Sequence, residues 1–552
     1  MKKFGLAVLL LVAFIGLFRI YANQQFPYTH DGENHLARFA NYKIALKEGQ
    51  FPPRFAPNLL NHFGYPVFNY NYPLANILSV PFSALGVSYE LTFKLLTVAA
   101  VILGIAGLSK WLKILNLGGN ERFLGLTAWL LNPYLVNLVY FRGNIGEILS
   151  YSLLPWIFWS IEVFRTDQSL RKTINHTLIT TTLVTVLLLS HNITAILTIP
   201  IIIFIAVIRL WGKSKQAMFS FVALFWAISL TLWFWLPAIF EMKMIVLGSA
   251  ASVSEFALHF STLAELLWSP LKFGFSYPGS IDSLSFAVGL PVIIALASSL
   301  FLLQRKKDGF MLALSAMTVL LIVLQLSVTL PIWQLFKPLK FIQFPWRLDI
   351  FLAALSAPII ASVAKRSKLA SSLIVLFILV QLTVIFRLHP ADYFHKTNLD
   401  YDVFSQTTST QNENMPTNFT YPNIGDWQPL PETILGKSEF TVEKWAGSDH
   451  LYQVSVIEDA LIVEPTAYFP GWETWIIKSD GSKEQAVGSA VSESITKAQG
   501  RIAYELPVGE YHVQTKFTQN TPARLVGNSV SALSLLGLVS YFLWLKRMEK
   551  RS

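Results

Sequence analysis

Long apolar runs separated by short polar clusters dominate the chain from its first residues to about position 387. Most of the runs are close to the roughly 18–20 residues that an α-helix needs to cross a bilayer, so the pattern predicts about twelve transmembrane helices. Their predicted cores are 4–18, 90–108, 123–140, 148–163, 178–190, 193–210, 218–240, 285–303, 312–330, 348–363, 369–386 and 530–545.

The pattern changes in residues 388–525, where no apolar run is long enough to span a membrane. From Glu439 onward apolar and polar residues alternate, which is typical of half-buried β-strands. The predicted strands are 450–457, 460–466, 472–478, 501–507 and 511–517. We therefore expect a C-terminal, extracytoplasmic β-sandwich. The predicted domains are a transmembrane domain 1–387 with a first outer loop 21–88, the β-rich domain 388–525, and a final anchor with a basic tail, 526–552.

Composition supports a polytopic membrane protein, with 53% hydrophobic and only 14% charged residues among 552. The formal net charge is +10, but Lys and Arg form short clusters between alternate apolar runs. This is the pattern of the positive-inside rule, so we discount nucleic acid as a partner. We therefore expect a protein of the cell membrane with both termini on the cytoplasmic side. An uncleaved first helix is favoured over a cleaved signal peptide. The loops near Asp31, Arg142, His191 and Arg347 fall on the extracytoplasmic side.

A carboxylate cluster follows the first apolar run, with Asp31, Glu33 and His35 in a single stretch. Asp31 is positioned to cap a helix that runs to Lys47 and that we expect on the membrane surface. A cap and a catalytic base are compatible roles, because both require an ionised carboxylate. Asp31 and Glu33 could also hold Mg²⁺ or Mn²⁺ through hard oxygen ligands, or simply face a helix dipole.

Polar residues interrupt the apolar pattern at two further outer loops. In 142-RGNIGE-147, Arg142 could snorkel to the interface, or it could hold a phosphate while Glu147 orients it or binds a sugar hydroxyl. His191 and Asn192 stand between apolar residues, either as turn residues or facing a cavity.

A third outer loop, 340-KFIQFPWRLD-349, offers Lys340, Gln343 and Arg347 among aromatic residues. An aromatic belt explains much of this stretch without any function. The gathering of several cations on the side of the membrane that carries Asp31 favours a lipid phosphate bound near a general base.

The motifs resemble those of the bacterial membrane proteins labelled "6-pyruvoyl-tetrahydropterin synthase-related". They are D-x-E-x-H from Asp31, R-F-A-P from Arg54, the G-Y-P-x-F-x-Y-x-Y-P-L loop, R-G-x-x-x-E, Q-F-P-W-R and F-P-G-W. The multi-helix architecture also resembles GT-C glycosyltransferases, whose catalytic Asp or Glu lies in the first outer loop, the place that Asp31 takes here.

These resemblances imply an inverting glycosyltransferase that moves a sugar from a polyprenyl-phosphate donor, reached from membrane lipids, to an extracytoplasmic glycan, lipid or protein acceptor. Asp31 would be the catalytic base, and the residues implied in substrate binding are Glu33, His35, Arg142, Glu147, His191, Asn192, Lys340, Gln343 and Arg347. Two alternatives stay open: a transporter or flippase of lipid-linked sugars, and a non-catalytic cell-envelope assembly protein.

Overall fold

Helices dominate the computed structural model of the chain. It describes residues 3–166, 169–248, 254–277, 284–305, 308–336, 339, 342–409, 412–420, 427–487 and 493–551. Within these ranges the α-helices are α1 (Lys3–Phe18), α2 (Gly32–Lys47), α3 (Leu74–Ala84), α4 (Tyr89–Ile114), α5 (Gly119–Leu130), α6 (Pro133–Asn137), α7 (Ile145–Thr166), α8 (Leu170–Leu188), α9 (Asn192–Leu210), α10 (Ser214–Phe240), α11 (Leu263–Leu267), α12 (Leu290–Arg305), α13 (Gly309–Val323), α14 (Leu330–Leu335), α15 (Asp349–Arg366), α16 (Lys368–Arg387), α17 (Asn398–Asp402), α18 (Glu493–Lys497) and α19 (Pro522–Arg551).

Each of the twelve predicted transmembrane runs contains an α-helix. In the described part of the chain, eight helices are long and apolar enough to cross a membrane. They are Phe4–Ala22, Tyr89–Ile114, Gly119–Arg142, Asn192–Leu210, Ser214–Phe240, Pro345–Arg366, Lys368–Arg387 and Pro522–Leu543. The other four predicted spans correspond to α7, α8, α12 and α13. The protein is therefore a multi-pass helical membrane protein, and twelve spans stays a prediction.

The run predicted as one helix at 123–140 is broken in the middle. Helix α5 ends at Leu130. The side-chain oxygen of Asn132 then accepts the backbone N–H of Tyr134 at 3.0 Å to start α6, with Pro133 at the first helical position. The chain then widens into a π-helical turn, Leu138–Arg142. Such turns often occur at functional sites, and this one delivers Arg142.

The chain divides into two compact units, each built from three separated stretches. The first unit contains Met1–Glu33, Phe93–Ile228 and Val253–His395. Its central helix is α15, which packs against α5, α7, α12 and α13. Every residue of α15 from Asp349 to Val363 is buried, as expected for a helix that is apolar around its whole circumference. A short strand pair, β1 (Phe26–Pro27) with β2 (Tyr393–Phe394), lies in the same unit.

The second unit contains Asn34–Thr92, Ser229–Ser252 and Lys396–Ser552, and includes an antiparallel sheet. Its strands are β3 (Glu432–Ala446), β4 (Asp449–Ala467), β5 (Trp472–Lys478), β6 (Lys483–Val487), β7 (Arg501–Leu506) and β8 (Gly509–Phe517). The order is β3-β4-β8-β5-β6, and β7 pairs with the far half of β4. The predicted runs 450–457 and 460–466 are thus one long strand. Because β4 pairs with three neighbours, all six strands form one connected sheet rather than two separate ones.

Residues of the predicted first outer loop, 21–88, complete the core of this sheet. Phe55 lies 5.4 Å, between ring centroids, from both Trp472 of β5 and Phe517 of β8. Tyr70 joins the same buried cluster and lies 6.0 Å from Phe469. The loop and the sheet therefore share one hydrophobic core, while the predicted domain boundaries at 387 and 525 stay predictions.

Helix α2 has the predicted bounds but not the predicted surface position. Every residue from His35 to Tyr42 is buried, including Arg38 and Asn41. Arg38 Nε donates to the hydroxyl of Thr408 at 3.1 Å, and the Asn41 side-chain oxygen accepts the backbone N–H of Asn58 at 2.9 Å. Because these polar groups find protein partners, the helix can be buried.

A buried ion pair fixes the start of the last helix, α19. Arg524, fully buried, donates from Nη2 to Glu241 Oε2 at 2.9 Å, directly after the end of α10. The same oxygen accepts the side-chain amide of Asn69 at 2.9 Å, and the other accepts the hydroxyl of Thr521 at 2.6 Å. The G-Y-P loop, α10 and α19 thus meet at one carboxylate.

Candidate active site

Glu147 is the centre of a buried polar cluster in the first unit. It lies in the first turn of α7 and is fully buried. Its two oxygens accept hydrogen bonds from the two terminal guanidinium nitrogens of Arg142, at 2.6 Å and 2.7 Å. The hydroxyl of Tyr134, from α6, donates to the same carboxylate. The R-G-x-x-x-E motif therefore encodes a two-pronged ion pair, which is the strong geometry for arginine and a carboxylate.

Two more predicted residues face the same carboxylate. His191 Nε2 and Arg347 Nε each lie 3.6 Å from Glu147 Oε1. His191 directly precedes α9, and its Nδ1 lies 2.9 Å from the hydroxyl of Thr194. With Nδ1 occupied by the helix start, Nε2 is the nitrogen that faces Glu147.

Arg347 is held mainly by neutral oxygens. Its Nη1 donates to the carbonyl of Ile342 at 3.1 Å and to the side-chain oxygen of Gln343 at 3.3 Å. Its buried Nε has no hydrogen-bond partner among the described residues. The carboxylate of Glu147 is thus shared by two arginines, and one of them is only loosely engaged.

The aromatic residues of Q-F-P-W-R support the two guanidinium groups. Arg142 lies 4.7 Å above the ring of Trp346, and Arg347 lies 5.1 Å above that of Phe344. The two rings stack on each other, with 5.1 Å between centroids, and Trp346 also stacks on Phe286. Aromatic faces attract cations, so this layer stabilises two like charges at close quarters.

Asp31 joins this cluster through the backbone and through one side chain. Its N–H donates to the carbonyl of Arg142 at 2.8 Å, and the N–H of His30 donates to that of Phe141 at 3.0 Å. The side-chain amide of Asn144 donates to Asp31 Oδ2 at 3.1 Å. Asp31 remains half-buried, whereas Arg142 and Glu147 are buried. A carboxylate that solvent reaches thus lies next to a shielded group of cations.

Gly143 makes this close approach feasible. Its φ is +63°, in the left-handed region that favours glycine, and it ends the π-helical turn. A Cβ at this position would lie 2.1 Å from the hydroxyl oxygen of Thr29. That hydroxyl accepts the N–H of Gly32 at the start of α2, at 3.1 Å.

The remaining predicted site residues are placed less closely. Glu33 lies half-buried in the first turn of α2, and Asn192 is the first residue of α9. His35 belongs to the second unit, where its Nε2 lies 3.4 Å from the hydroxyl of Tyr72. Lys340 lies outside the described residues.

A divalent metal does not fit the residues around Asp31. No group of three His, Cys, Asp or Glu side chains that could hold a metal occurs in the described part of the chain. Asp31 Oδ2 accepts an amide hydrogen from Asn144, a donor that a cation would have to displace. We therefore derive no step that depends on Mg²⁺ or Mn²⁺.

Sequence reasoning missed Asn144 and Tyr134. The spacing Asn144…Glu147 has the N-x-x-E form of a capping box, and Asn144 Oδ1 does accept the N–H of Glu147, at 3.0 Å. That pattern would have identified Asn144 as a cap, but not as a partner of Asp31. Nothing in the local pattern distinguishes Tyr134 from an ordinary interface aromatic residue.

Comparison with solved structures finds matches of low similarity. The cryo-EM structure of arabinofuranosyltransferase AftD from Mycobacteria is 16% identical, with a TM-score of 0.44, and the match covers 70% of this chain and 27% of that one. The crystal structure of ArnT from Cupriavidus metallidurans bound to undecaprenyl phosphate is 12% identical, with a TM-score of 0.32, covering 74% and 88%. With TM-scores below 0.5, neither likeness supports a statement about this chain's activity.

Sequence comparison identifies a relative and a family. A protein of Lactococcus lactis subsp. cremoris (strain MG1363), described as "Uncharacterized protein", is 25% identical over 343 residues, or 59% of this chain. The match spans about half of that relative, 55% of its length. The profile of the "6-pyruvoyl-tetrahydropterin synthase related domain; membrane protein" family matches residues 68–389, more than half of this chain, as its motifs predicted. The chain belongs to this family of membrane proteins.

Proposed function

We propose that the protein is a membrane glycosyltransferase that transfers a sugar from a polyprenyl-phosphate donor to an extracytoplasmic acceptor. The donor would enter from the membrane lipids, and the acceptor would be a glycan, lipid or protein hydroxyl outside the cytoplasm. The observation that carries the proposal is the half-buried carboxylate of Asp31 beside a buried cluster in which two arginines share one glutamate.

The buried charges of the cluster, counted without the half-buried Asp31, support an anionic ligand. Arg142 and Arg347 carry two positive charges, and Glu147 carries one negative charge that Arg142 already binds with both prongs. Arg347 Nε is buried without a hydrogen-bond partner in the part of the chain that the structure describes. A buried guanidinium favours a partner of opposite charge, and a phosphate monoester or diester fits its donors. His191, on the same side of Glu147, would contribute a further hydrogen bond.

The reaction would be a direct displacement. An acceptor hydroxyl attacks the anomeric carbon of the donor sugar while Asp31 takes its proton as general base. The new C–O bond forms as the bond between the anomeric carbon and the phosphate oxygen breaks, so the configuration inverts. The polyprenyl phosphate leaves with both electrons of that bond, and Arg347, Arg142 and His191 stabilise its charge.

Two further residues would orient the arginines that contact the phosphate. Glu147 would orient Arg142, which it binds at 2.6 Å and 2.7 Å, and Gln343 would orient Arg347 through the bond at 3.3 Å. The aromatic layer of Trp346 and Phe344 would keep water from the guanidinium groups and so strengthen their attraction to phosphate.

The test compares Asp31→Asn with wild type in cells that lack the native gene. Undecaprenyl-phosphate-linked sugars are extracted from the membranes and quantified by mass spectrometry, together with the sugar content of the envelope. We expect Asp31→Asn to accumulate one lipid-linked sugar and to lose the corresponding envelope sugar. Asp392→Asn is the matched control, because Asp392 is exposed and its side-chain oxygen accepts the N–H of the neighbouring Tyr393. A wild-type lipid and envelope profile in Asp31→Asn would refute the proposal.

One observation favours transport of lipid-linked sugars as a second candidate function. Helix α7 carries another fully buried acid, Glu162, which accepts from Arg209 Nη2 at 2.7 Å and from Arg165 Nε at 2.9 Å. Buried charges therefore occur near both ends of one helix, as on a transport path. Flipping of a fluorescent undecaprenyl-phosphate sugar in acceptor-free liposomes would support transport, and its absence would exclude it.

A further inference from the structure

Asn144 uses both ends of its amide side chain at the junction between Asp31 and α7. Its Oδ1 accepts the N–H of Glu147 at 3.0 Å, and its Nδ2 donates to Asp31 Oδ2 at 3.1 Å. Asn144 itself is buried, with 5% of its surface exposed. One side chain therefore links the helix start that carries Glu147 to the half-buried carboxylate of Asp31.

We propose that Asn144 is a positioning residue that fixes the orientation of the Asp31 carboxylate relative to the Arg142–Glu147 pair. The catalytic meaning of that orientation rests on the proposed function, whereas the positioning itself does not. With Oδ2 held by the amide, Oδ1 is the oxygen left to meet an incoming hydroxyl.

The surrounding backbone gives this link its rigidity. The N–H of Asp31 donates to the carbonyl of Arg142, and Gly143 turns the chain in the left-handed region between Arg142 and Asn144. These contacts fix the main chain on both sides but leave the Asp31 side chain free to rotate. The amide of Asn144 removes that freedom by holding Oδ2 of Asp31.

Two substitutions separate the positioning role from the cap. Asn144→Asp keeps a good N-cap but replaces the donor to Asp31 with a carboxylate, so that two like charges would face each other. Asn144→Ser also keeps a cap, but its hydroxyl is too short to replace the amide at Asp31. His30, Arg142 and Arg347, whose charges interact with that of Asp31, are unchanged in both variants.

The measurement is carbodiimide labelling of the full-length protein in detergent micelles, with glycine ethyl ester as the nucleophile, from pH 4 to pH 8. Protonated carboxyl groups react, and trypsin separates the peptide that carries Asp31 from the one that carries position 144, because Arg38 and Arg142 lie between them. We expect Asn144→Asp to move the midpoint of labelling at Asp31 up by about one pH unit, and Asn144→Ser to move it less in the same direction.

Asn398→Asp is the matched control. Asn398 Oδ1 accepts the N–H of Tyr89 at the start of α4, at 3.1 Å, so this variant also places a carboxylate at a helix start. It should leave the labelling of Asp31 unchanged. An unchanged midpoint in both folded Asn144 variants would overturn the positioning role and leave Asn144 as a cap alone.

The outcome is independent of the glycosyltransferase proposal. Labelling needs neither donor nor acceptor, so a shifted midpoint would support positioning even if Asp31→Asn kept full sugar transfer. Conversely, an unshifted midpoint with an inactive Asp31→Asn would reject positioning and leave the proposed function standing.

Discussion

Glu147 binds Arg142 through two parallel hydrogen bonds of 2.6 Å and 2.7 Å, and both side chains are at most 5% exposed. The pair joins the end of the π-helical turn to the start of α7, across the left-handed Gly143. Everything else in the candidate site is placed with respect to this pair.

Replacing Glu147 should destabilise the protein strongly. Glu147→Gln keeps the shape and an acceptor for Tyr134, but leaves the charge of Arg142 buried and unpaired. Loss of one partner of a buried pair costs about 3–5 kcal/mol, so we expect a large fall in the melting temperature in detergent. Glu493→Gln, which removes one partner of the exposed Glu493–Lys497 pair, is the control and should melt like wild type. Equal melting temperatures for Glu147→Gln and wild type would contradict the structural role of the pair.

Two glycines with the same backbone angle should respond differently to alanine. Gly143 and Gly119 both have a φ of +63°, which costs a non-glycine residue about 1–2 kcal/mol. A Cβ at Gly143 would also meet Thr29 at 2.1 Å, whereas the nearest atom at Gly119 is the flexible carboxylate of Glu121 at 3.3 Å. Overpacking adds about 1–3 kcal/mol, so Gly143→Ala should lower the free energy of unfolding clearly more than Gly119→Ala. Urea titration in detergent would measure the free energy of unfolding of both variants. Equal losses would mean that Thr29 moves away from the new Cβ at little cost.

Acid should destabilise the protein by protonating His30. Burial lowers the pKa of His30 to about 4, with Asp31 opposing the shift and Arg142 adding to it. An unfolded chain binds this proton near pH 6.5, so the stability that neutral His30 contributes is complete above pH 6.5 and is lost as the pH falls towards 4. His30→Phe keeps the stack on Phe275, now 4.5 Å between centroids, and should flatten the fall in melting temperature between pH 6.5 and pH 4.5. Parallel curves for the two proteins would count against this assignment.

The shared core of loop and sheet predicts a long-range effect of one side chain. Phe55→Ala should cost about 3–5 kcal/mol because it opens a cavity against Trp472 and Phe517. Phe51→Ala, four residues away at a position that is 82% exposed, should change stability by less than about 0.5 kcal/mol. Limited proteolysis of the sheet, followed by mass spectrometry, would report the difference. Equal protection of the sheet in both variants would show that the sheet folds without the loop.

Local pattern was sufficient for the helices, for most of the strands and for the motif residues. Apolar length predicted a helix in each of the twelve runs, and alternation predicted β4, β5, β7 and β8 among the sheet's strands. The distribution of Lys and Arg clusters also predicted that Arg142, His191 and Arg347 lie on the same side of the membrane. In the structure all three lie around Glu147.

Local pattern was not sufficient where the role of a residue depends on distant partners. Helix α2 is amphipathic by sequence, but the polar side chains of Arg38 and Asn41 find Thr408 and Asn58 and are buried. Asn144 has the spacing of a cap, but its second bond reaches a residue more than 100 positions earlier in the chain. No window of sequence contains both partners, so their contact could not be read from the pattern.

The core that Phe55 shares with the sheet also limits the order in which the chain can fold during synthesis. Phe55 leaves the ribosome about 400 residues before Trp472, which at 5–20 residues per second is roughly 20–80 s of synthesis. Throughout that interval the aromatic side chains of the first outer loop are without their sheet partners. The core that the loop and the sheet share can therefore close only after the last strands emerge.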